Sequence, residues 1–348
     1  MSIDEASRAG VHAEQETLEE LRRARAADGR RPDFFIVGHA KCGTTALYRM
    51  LKAHPQIYMP DVKEPEFLSR APEHRARRAE QPERPAKRLP ETLEAYLALF
   101  APATPEQLAG EASTEYLRTP AAAGRIAQLC PEARIVAMFR EPVGFLRSLH
   151  LQLLQVGVET EVDFARALEL ETERRRGRRV PRDCPWPPAL LYSDHVRYVE
   201  QLSAYHERFG RESVHVIAYE DYRRDNEGTV REVLRFLGVD DELPVIRTEA
   251  NPTLRVRSRR GERLVNAVSV GKGPVSRSAK RVLKAVMPAR VRRGAHRTAM
   301  RVVVESEPRP PAEELVAELR RRFAGEVVAL SEYLRRDLVG LWGYEDVR

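Results

Sequence analysis

Residues 33–52 read DFFIVGHAKCGTTALYRMLK. Phe34 to Val37 is a short continuous apolar run, the pattern of a strand buried on both faces of a parallel sheet. Gly38 to Gly43 turns the chain, and Thr44 to Ala53 has helical spacing, with Leu47, Met50 and Leu51 on one side. Strand, glycine-bounded loop and helix in that order open an α/β fold.

The same grammar continues outward. Arg134 to Phe139 is a second buried strand that ends on Arg140, and Pro142 is placed as the first-turn proline of a helix running to about Val156. A third strand, Val214 to Tyr219, ends on Glu220-Asp221. Helices are expected at Glu91–Phe100, Ala121–Leu129, Phe164–Arg176, Ala189–Phe209, Thr229–Leu237 and Ala312–Leu338. Strands alternating with helices imply a P-loop-like, three-layer α/β/α arrangement with a mostly parallel central sheet. Residues 1–32 read as a charged lead with one solvated helix in Glu14–Arg25, and 33–254 as the core. Residues 255–310 form a basic segment, and 311–348 supply a C-terminal helix completing the domain. Residues 70–90, rich in Arg and Pro, carry no core signal.

Composition narrows the classes. The 348 residues are 42% hydrophobic and 32% charged, with a net charge of +7. That is a globular composition with a charge-rich surface. Between Arg255 and Arg301 there are fifteen Lys/Arg and one acid, Glu262, which leaves the remainder mildly acidic. No stretch approaches the ~20 apolar residues of a membrane span. The first thirty residues carry seven acids and no apolar run, so neither a secretory signal nor an Arg-rich transit peptide is expected, and the cytoplasm is the default location. Cys42, Cys130 and Cys184 are odd in number and widely spaced, which suggests reduced thiols and no metal-type Cys pair.

In open α/β sheets, ligands bind at the carboxyl ends of the strands, which directs attention to Gly38–Thr45. The loop resembles a phosphate-binding P-loop, with backbone N–H groups turned inward and a helix N-terminus behind them. It departs from G-x-x-x-x-G-K-[ST] because the lysine is Lys41, and Thr44 stands where the nucleotide-hydrolase lysine would be. A lysine there can reach the bridging oxygen of a phosphate–sulfate anhydride, leaving Thr44, Thr45 and the amides to hold the terminal oxygens. Sulfuryl transfer moves a less charged group than phosphoryl transfer, so positioned donors can suffice without a metal.

Lys41-Cys42-Gly43-Thr44-Thr45 after a buried strand resembles the 5′-phosphosulfate loop of sulfotransferases that use 3′-phosphoadenosine 5′-phosphosulfate (PAPS), related to the heparan type and with bacterial members. The resemblance implies PAPS as donor, no metal, and cofactor contacts from Lys41, Cys42, Gly43, Thr44 and Thr45. Arg140-Glu-Pro142 with Ser148 is similar to the family's 3′-phosphate motif, Arg140 offering a forked donor and Ser148 a hydroxyl two turns into the next helix. Lys63-Glu64-Pro-Glu66-Phe67-Leu68 resembles the segment whose glutamate is the family's catalytic base, with Leu68 where a second Phe is common. Glu64 would then take the acceptor hydroxyl's proton. Tyr198–Leu202, Phe236–Val239, Arg336–Leu338 and Trp342 also match bacterial members, and Arg257 matches an arginine that would clamp the 3′-phosphate.

Other readings stand beside these. Glu64 pairs with Lys63 as a surface ion pair, or a histidine among His39, His54, His150 and His195 is the base. Cys42, at a helix N-terminus, is expected to be a reactive thiol. Glu220-Asp221 after an apolar strand suits the metal-holding strand of a P-loop kinase or nucleotide hydrolase. The basic stretch suits an anionic-membrane or nucleic-acid module, although it lacks interleaved aromatics, so no nucleic acid is expected. Peripheral membrane contact through 271–301 is the narrower form, with Val282, Leu283, Val286 and Met287 as a short apolar face. The acceptor, a hydroxyl or less readily an amine on a small molecule, saccharide or lipid, is not legible.

Overall fold

The computed structural model describes residues 3–27, 29–70, 89–182, 184, 186–245, 255–256, 304–305 and 310–347. The expectations for Arg257, for the middle of 70–90 and for 271–301 lie outside them. The chain divides into two compact units. One comprises Met1–Phe145, His195–Ala250 and Arg320–Arg348, the other Leu146–Asp194 and Asn251–Leu319.

In chain order the elements are α1 (Ile3–Ala26), β1 (Phe34–Gly38), α2 (Thr44–Lys52), β2 (Ile57–Tyr58), α3 (Leu93–Leu97), β3 (Leu108–Ala112), α4 (Pro120–Leu129), β4 (Arg134–Phe139) and α5 (Pro142–Gln155). There follow α6 (Phe164–Glu169), α7 (Glu171–Arg175), α8 (Tyr198–Phe209), β5 (Val214–Ala218), α9 (Tyr219–Arg224), α10 (Asn226–Leu237), β6 (Arg255–Val256), β7 (Val304–Glu305), α11 (Glu313–Leu334) and α12 (Leu338–Trp342).

The first unit is built on a five-stranded sheet of order β2-β3-β1-β4-β5, parallel throughout. From β1 the chain moves toward one edge, and from β3 onward toward the other. Right-handed crossovers therefore put α2 on one face and α4 and α8 on the opposite face. Covering on both faces explains the uninterrupted apolar strands: Phe34 to Val37 and Ile135 to Met138 are all 0% exposed. The register aligns Ile36 with Ala112 and Val136, then shifts before Gly38 meets Ala137, so the chain leaves the ladder where the glycine loop begins. The ends of β1, β3 and β4 lie side by side, at the edge where an open α/β sheet places its ligand.

Several local expectations change. β3, Leu-Ala-Gly-Glu-Ala, has no apolar run and is not among the expected strands. Its Gly110 is small because a Cβ there would stand 2.1 Å from Phe34 Cζ. The helix expected over Ala189–Phe209 begins only at Tyr198, after 3₁₀ turns at Pro187–Leu190 and Tyr192–Val196. The segment Phe164–Arg176 breaks at Leu170 into α6 and α7. The expected solvated lead is instead a 24-residue helix packed on α4, with Leu21 and Thr17 buried.

In the second unit, Glu159 and Arg174 form a fully buried bidentate pair at 2.7 and 2.8 Å, and the Tyr192 hydroxyl donates to Glu159 at 3.0 Å. Buried carboxylate and guanidinium thus satisfy each other, which is what a buried charge requires. β6 and β7 pair antiparallel.

Candidate functional site

The loop 38–43 is shaped by what its backbone must do. Gly38 (φ 149°) and Gly43 (φ 93°) lie where a side chain is strained. A Cβ on Gly38 would be 2.8 Å from the carbonyl oxygen of Thr114, and one on Gly43 would be 2.8 Å from the Tyr222 ring. Gly43 is the N-cap of α2 and so gives that helix no side-chain cap, which leaves its positive end for something else. Gly43→Ala should therefore both strain the backbone and push Tyr222, destabilising the protein by about 1–3 kcal/mol in denaturant unfolding.

Lys41 itself has φ 64°. Only five non-glycine residues among those described have positive φ, and three of them are Lys41, Glu64 (φ 57°) and Glu66 (φ 53°). Strained backbone of this kind gathers at functional sites, because elsewhere it would relax. Arg140, at the end of β4, donates from Nη1 to the Lys41 carbonyl at 3.2 Å and lies 4.5 Å over the Tyr219 ring. Tyr198 in turn donates its hydroxyl to the Arg140 carbonyl at 3.0 Å. Burial and the neighbouring Arg140 charge hold the Lys41 ammonium below its ordinary pKa. Among the described residues, neither cation has a carboxylate in ion-pair reach.

Arg140 does not pair with its neighbour Glu141. Glu141 caps α5, accepting from the amides of Val143 at 3.0 Å and Gly144 at 2.6 Å, and from the Tyr344 hydroxyl at 2.7 Å. Glu220 and Asp221 are likewise engaged. Trp342 Nε1 donates to Glu220 at 2.7 Å, while Arg336 and Arg224 pair with Asp221. The Trp342 and Arg336 contacts are structural ties between α9 and the C-terminal segment. Among the described residues, no group of three or more His, Cys, Asp or Glu side chains converges on a metal-sized site.

Glu64 sits on the loop after β2, tied by its amide to the Ala112 carbonyl at 2.9 Å. Its carboxylate is 35% exposed and paired with Lys63, so the surface ion pair does exist. Two further carboxyls approach, Glu111 on β3 and Glu115 on the loop after it. Burial pushes Glu115 up to about 7; Arg118, donating at 2.9 Å, opposes that, and Glu66 and Glu64 reinforce it. Burial also pushes Glu111 up to about 7, against hydrogen bonds from Ser113, Tyr116 and Tyr96. Arg118 in addition reaches His195 Nε2 at 3.5 Å.

The histidines are placed as follows. His39 is packed among Phe139, Phe145 and Tyr198 and bonded to Gln201 at 2.7 Å. Burial lowers its pKa to about 3, so it is neutral and donates to Gln201 Oε1. His54 is bonded to the Asp240 carbonyl, and His150 belongs to the second unit, where it meets Tyr192. Cys42 corrects an expectation. Its side chain is 0% exposed in the core behind the loop, and burial raises the thiol pKa instead of lowering it. Thr44 is buried and Thr45 half-buried at the first turn of α2. Ser148 is buried on α5 in the second unit. Gln201, Tyr198, Tyr219, Glu115 and Arg118 carry no motif of their own. Only the YVEQL match hinted at the first two.

Comparison with known proteins adds an independent line. A sulfotransferase-domain family model matches residues 31–260. The structure is similar to the sulfotransferase of Alicyclobacillus acidocaldarius, with TM-score 0.53 and 34% identity over 69% of this chain and 92% of that one. A weaker likeness, TM-score 0.39 and 16% identity over 64% of this chain and 82% of that one, extends to the sulfotransferase domain from the curacin biosynthetic pathway. Human carbohydrate sulfotransferase 15 is 46% identical over 39 residues, which span 11% of this chain and only 7% of that protein.

Proposed function

Because the chain belongs to the sulfotransferase family, we propose that it transfers a sulfuryl group from PAPS to the hydroxyl of an acceptor, with the residues around Lys41 holding the donor. The observation that carries this reading is the adjacency of Lys41 and Arg140, two cations with no carboxylate partner among the described residues, at an uncapped helix N-terminus. Burial and the Arg140 charge hold Lys41 below its ordinary pKa, and a polyanion beside them reverses that cost.

Lys41 stabilises the charge that develops on the leaving phosphate oxygen, while Thr44, Thr45 and the amides of Cys42 and Gly43 orient the anion. Cys42 contributes backbone only, its thiol being in the core. By the motif resemblance, Arg140 and Ser148 serve the 3′-phosphate, and Arg257, outside the described residues, is assigned to it as well. Glu64 accepts the acceptor's proton as its oxygen attacks sulfur in line, and Lys63 holds that carboxylate in place. The acceptor class, a cytoplasmic setting and contact of 271–301 with an anionic membrane are parts of the same reading.

Binding of 3′-phosphoadenosine 5′-phosphate (PAP), measured by calorimetry, tests it. The wild type should bind without divalent metal, and Arg140→Ala should weaken binding about 10- to 100-fold, the worth of a charged hydrogen bond. Transfer from radiolabelled PAPS into a small-molecule extract should survive EDTA. Failure to bind PAP, together with magnesium-dependent ATP turnover, would instead establish the kinase or hydrolase reading.

A further inference from the structure

Arg125 stands on α4 with its side chain 5% exposed, and it bonds in two directions. Toward α1, Nε donates to Glu14 Oε1 at 3.0 Å and Nη2 pairs with Glu14 Oε2. Toward the loop after β2, Nη1 donates to the carbonyls of Leu68 at 3.1 Å and Arg70 at 3.0 Å. Those carbonyls close the 3₁₀ turn Phe67–Ser69, four to six residues beyond Glu64.

The loop holds two left-handed non-glycine residues, Glu64 and Glu66, and such backbone persists only when its surroundings over-determine it. The restraints can be named. Glu64 N bonds to Ala112 O at 2.9 Å, Glu66 N to Ser113 Oγ at 2.9 Å, and Leu68 N to the Tyr116 hydroxyl at 3.2 Å. Phe67 stacks on Tyr96 at 4.9 Å. All of these come from α3, β3 and the loop that follows it. Among the described residues, Arg125 supplies the side-chain hydrogen bonds that tie the loop's far end to α4, and a guanidinium so buried needs a carboxylate to be tolerated. Glu14 supplies it from a helix that precedes residue 31, where the family match begins.

We propose that α1 belongs to the catalytic apparatus: Glu14 fixes Arg125, and Arg125 is a positioning residue that locks the loop presenting Glu64. This rests on the reading of Glu64 as the base, but the anchoring can be measured without it. α1 docks through Leu21 and Thr17 and through Arg22 Nε to Gln128 at 2.7 Å, so losing Glu14 alone should leave the helix in place.

Hydrogen exchange on the full-length protein compares peptides covering 61–70 and 36–47. Glu14→Gln and Arg125→Lys should speed exchange in 61–70 about tenfold and leave 36–47 unchanged. Transfer kcat should fall about tenfold or more, with the KM for PAPS and the affinity for PAP retained. The exchange Glu14→Arg with Arg125→Glu restores an ion pair between the helices but offers no donor to the two carbonyls, so 61–70 should stay loose.

Unchanged exchange in 61–70, a uniform rise across all peptides, or full protection in the charge exchange would each overturn the proposal. If 61–70 loosens and kcat does not move, the positioning role fails. Glu64→Gln then tells the two failures apart: an active Glu64→Gln condemns the base assignment, and an inactive one condemns the anchor.

Discussion

Lys41→Ala is expected to lower sulfuryl-transfer kcat by about 10³-fold, the scale on which preorganised charge stabilisation at a developing oxyanion operates. The effect is expected to fall on turnover more than on PAP affinity, because in the proposed reading Arg140 and the end of α2 would keep their own hold on the nucleotide. Burial and the Arg140 charge keep the Lys41 ammonium below its ordinary pKa, so it is costly to charge in the empty site and gains most when negative charge arrives. Lys41→Arg is not a conservative rescue. The residue sits at φ 64° in a loop whose carbonyl is clasped by Arg140, and a wider, planar cation cannot occupy the same point. Single-turnover rates with saturating PAPS separate the two effects, and a kcat within tenfold of wild type would remove Lys41 from the reaction.

Glu64→Gln should lower kcat by about 10²- to 10³-fold, the usual worth of a general base, and leave PAP binding unaltered. The side chain is 35% exposed and its anchorage to Ala112 runs through the backbone amide, so the amide variant keeps the loop. Lys63→Met separates the pair. If Lys63 only positions the carboxylate, its loss lowers kcat several-fold without abolishing it. Near-wild-type turnover in Glu64→Gln would direct the search to Glu115, which lies within electrostatic reach of Glu64 and is held near neutrality by burial.

What could be read in the sequence followed the physics of each signal. β1 and β4 were legible because strands covered on both faces are written as apolar runs, β5 because its run is apolar apart from His215, and the glycine loop because its φ angles demand glycine. β3 was not legible, since its residues are selected by what they must leave room for: Gly110 admits Phe34, and Glu111 is compensated by Tyr96 and Tyr116 from elsewhere. α1 read as solvated because its buried face is narrow, Thr17 and Leu21 amid charges, and its Glu14 looks like any surface acid until Arg125 is found beneath it. Cys42 was misjudged for a related reason. A helix N-terminus lowers a thiol's pKa only if the sulfur faces it, and here the side chain turns into the core, where desolvation dominates. The site's motifs were visible, but their supports, Gln201 under His39 and Tyr198 under Arg140, belong to contacts across roughly 60 to 160 positions.

The ties from Trp342 to Glu220 and from Tyr344 to Glu141 carry a consequence for biosynthesis. Glu141 follows directly on Arg140, and Glu220 on Tyr219, the ring over which that guanidinium lies. A nascent chain can pair its five strands once residue 218 has emerged, yet both acids still await partners more than a hundred residues downstream. Non-local contacts of this span close late, after their loop entropy has been met. Until that segment emerges, a nascent chain therefore holds a paired sheet whose Glu141 and Glu220 side chains still lack Tyr344 and Trp342.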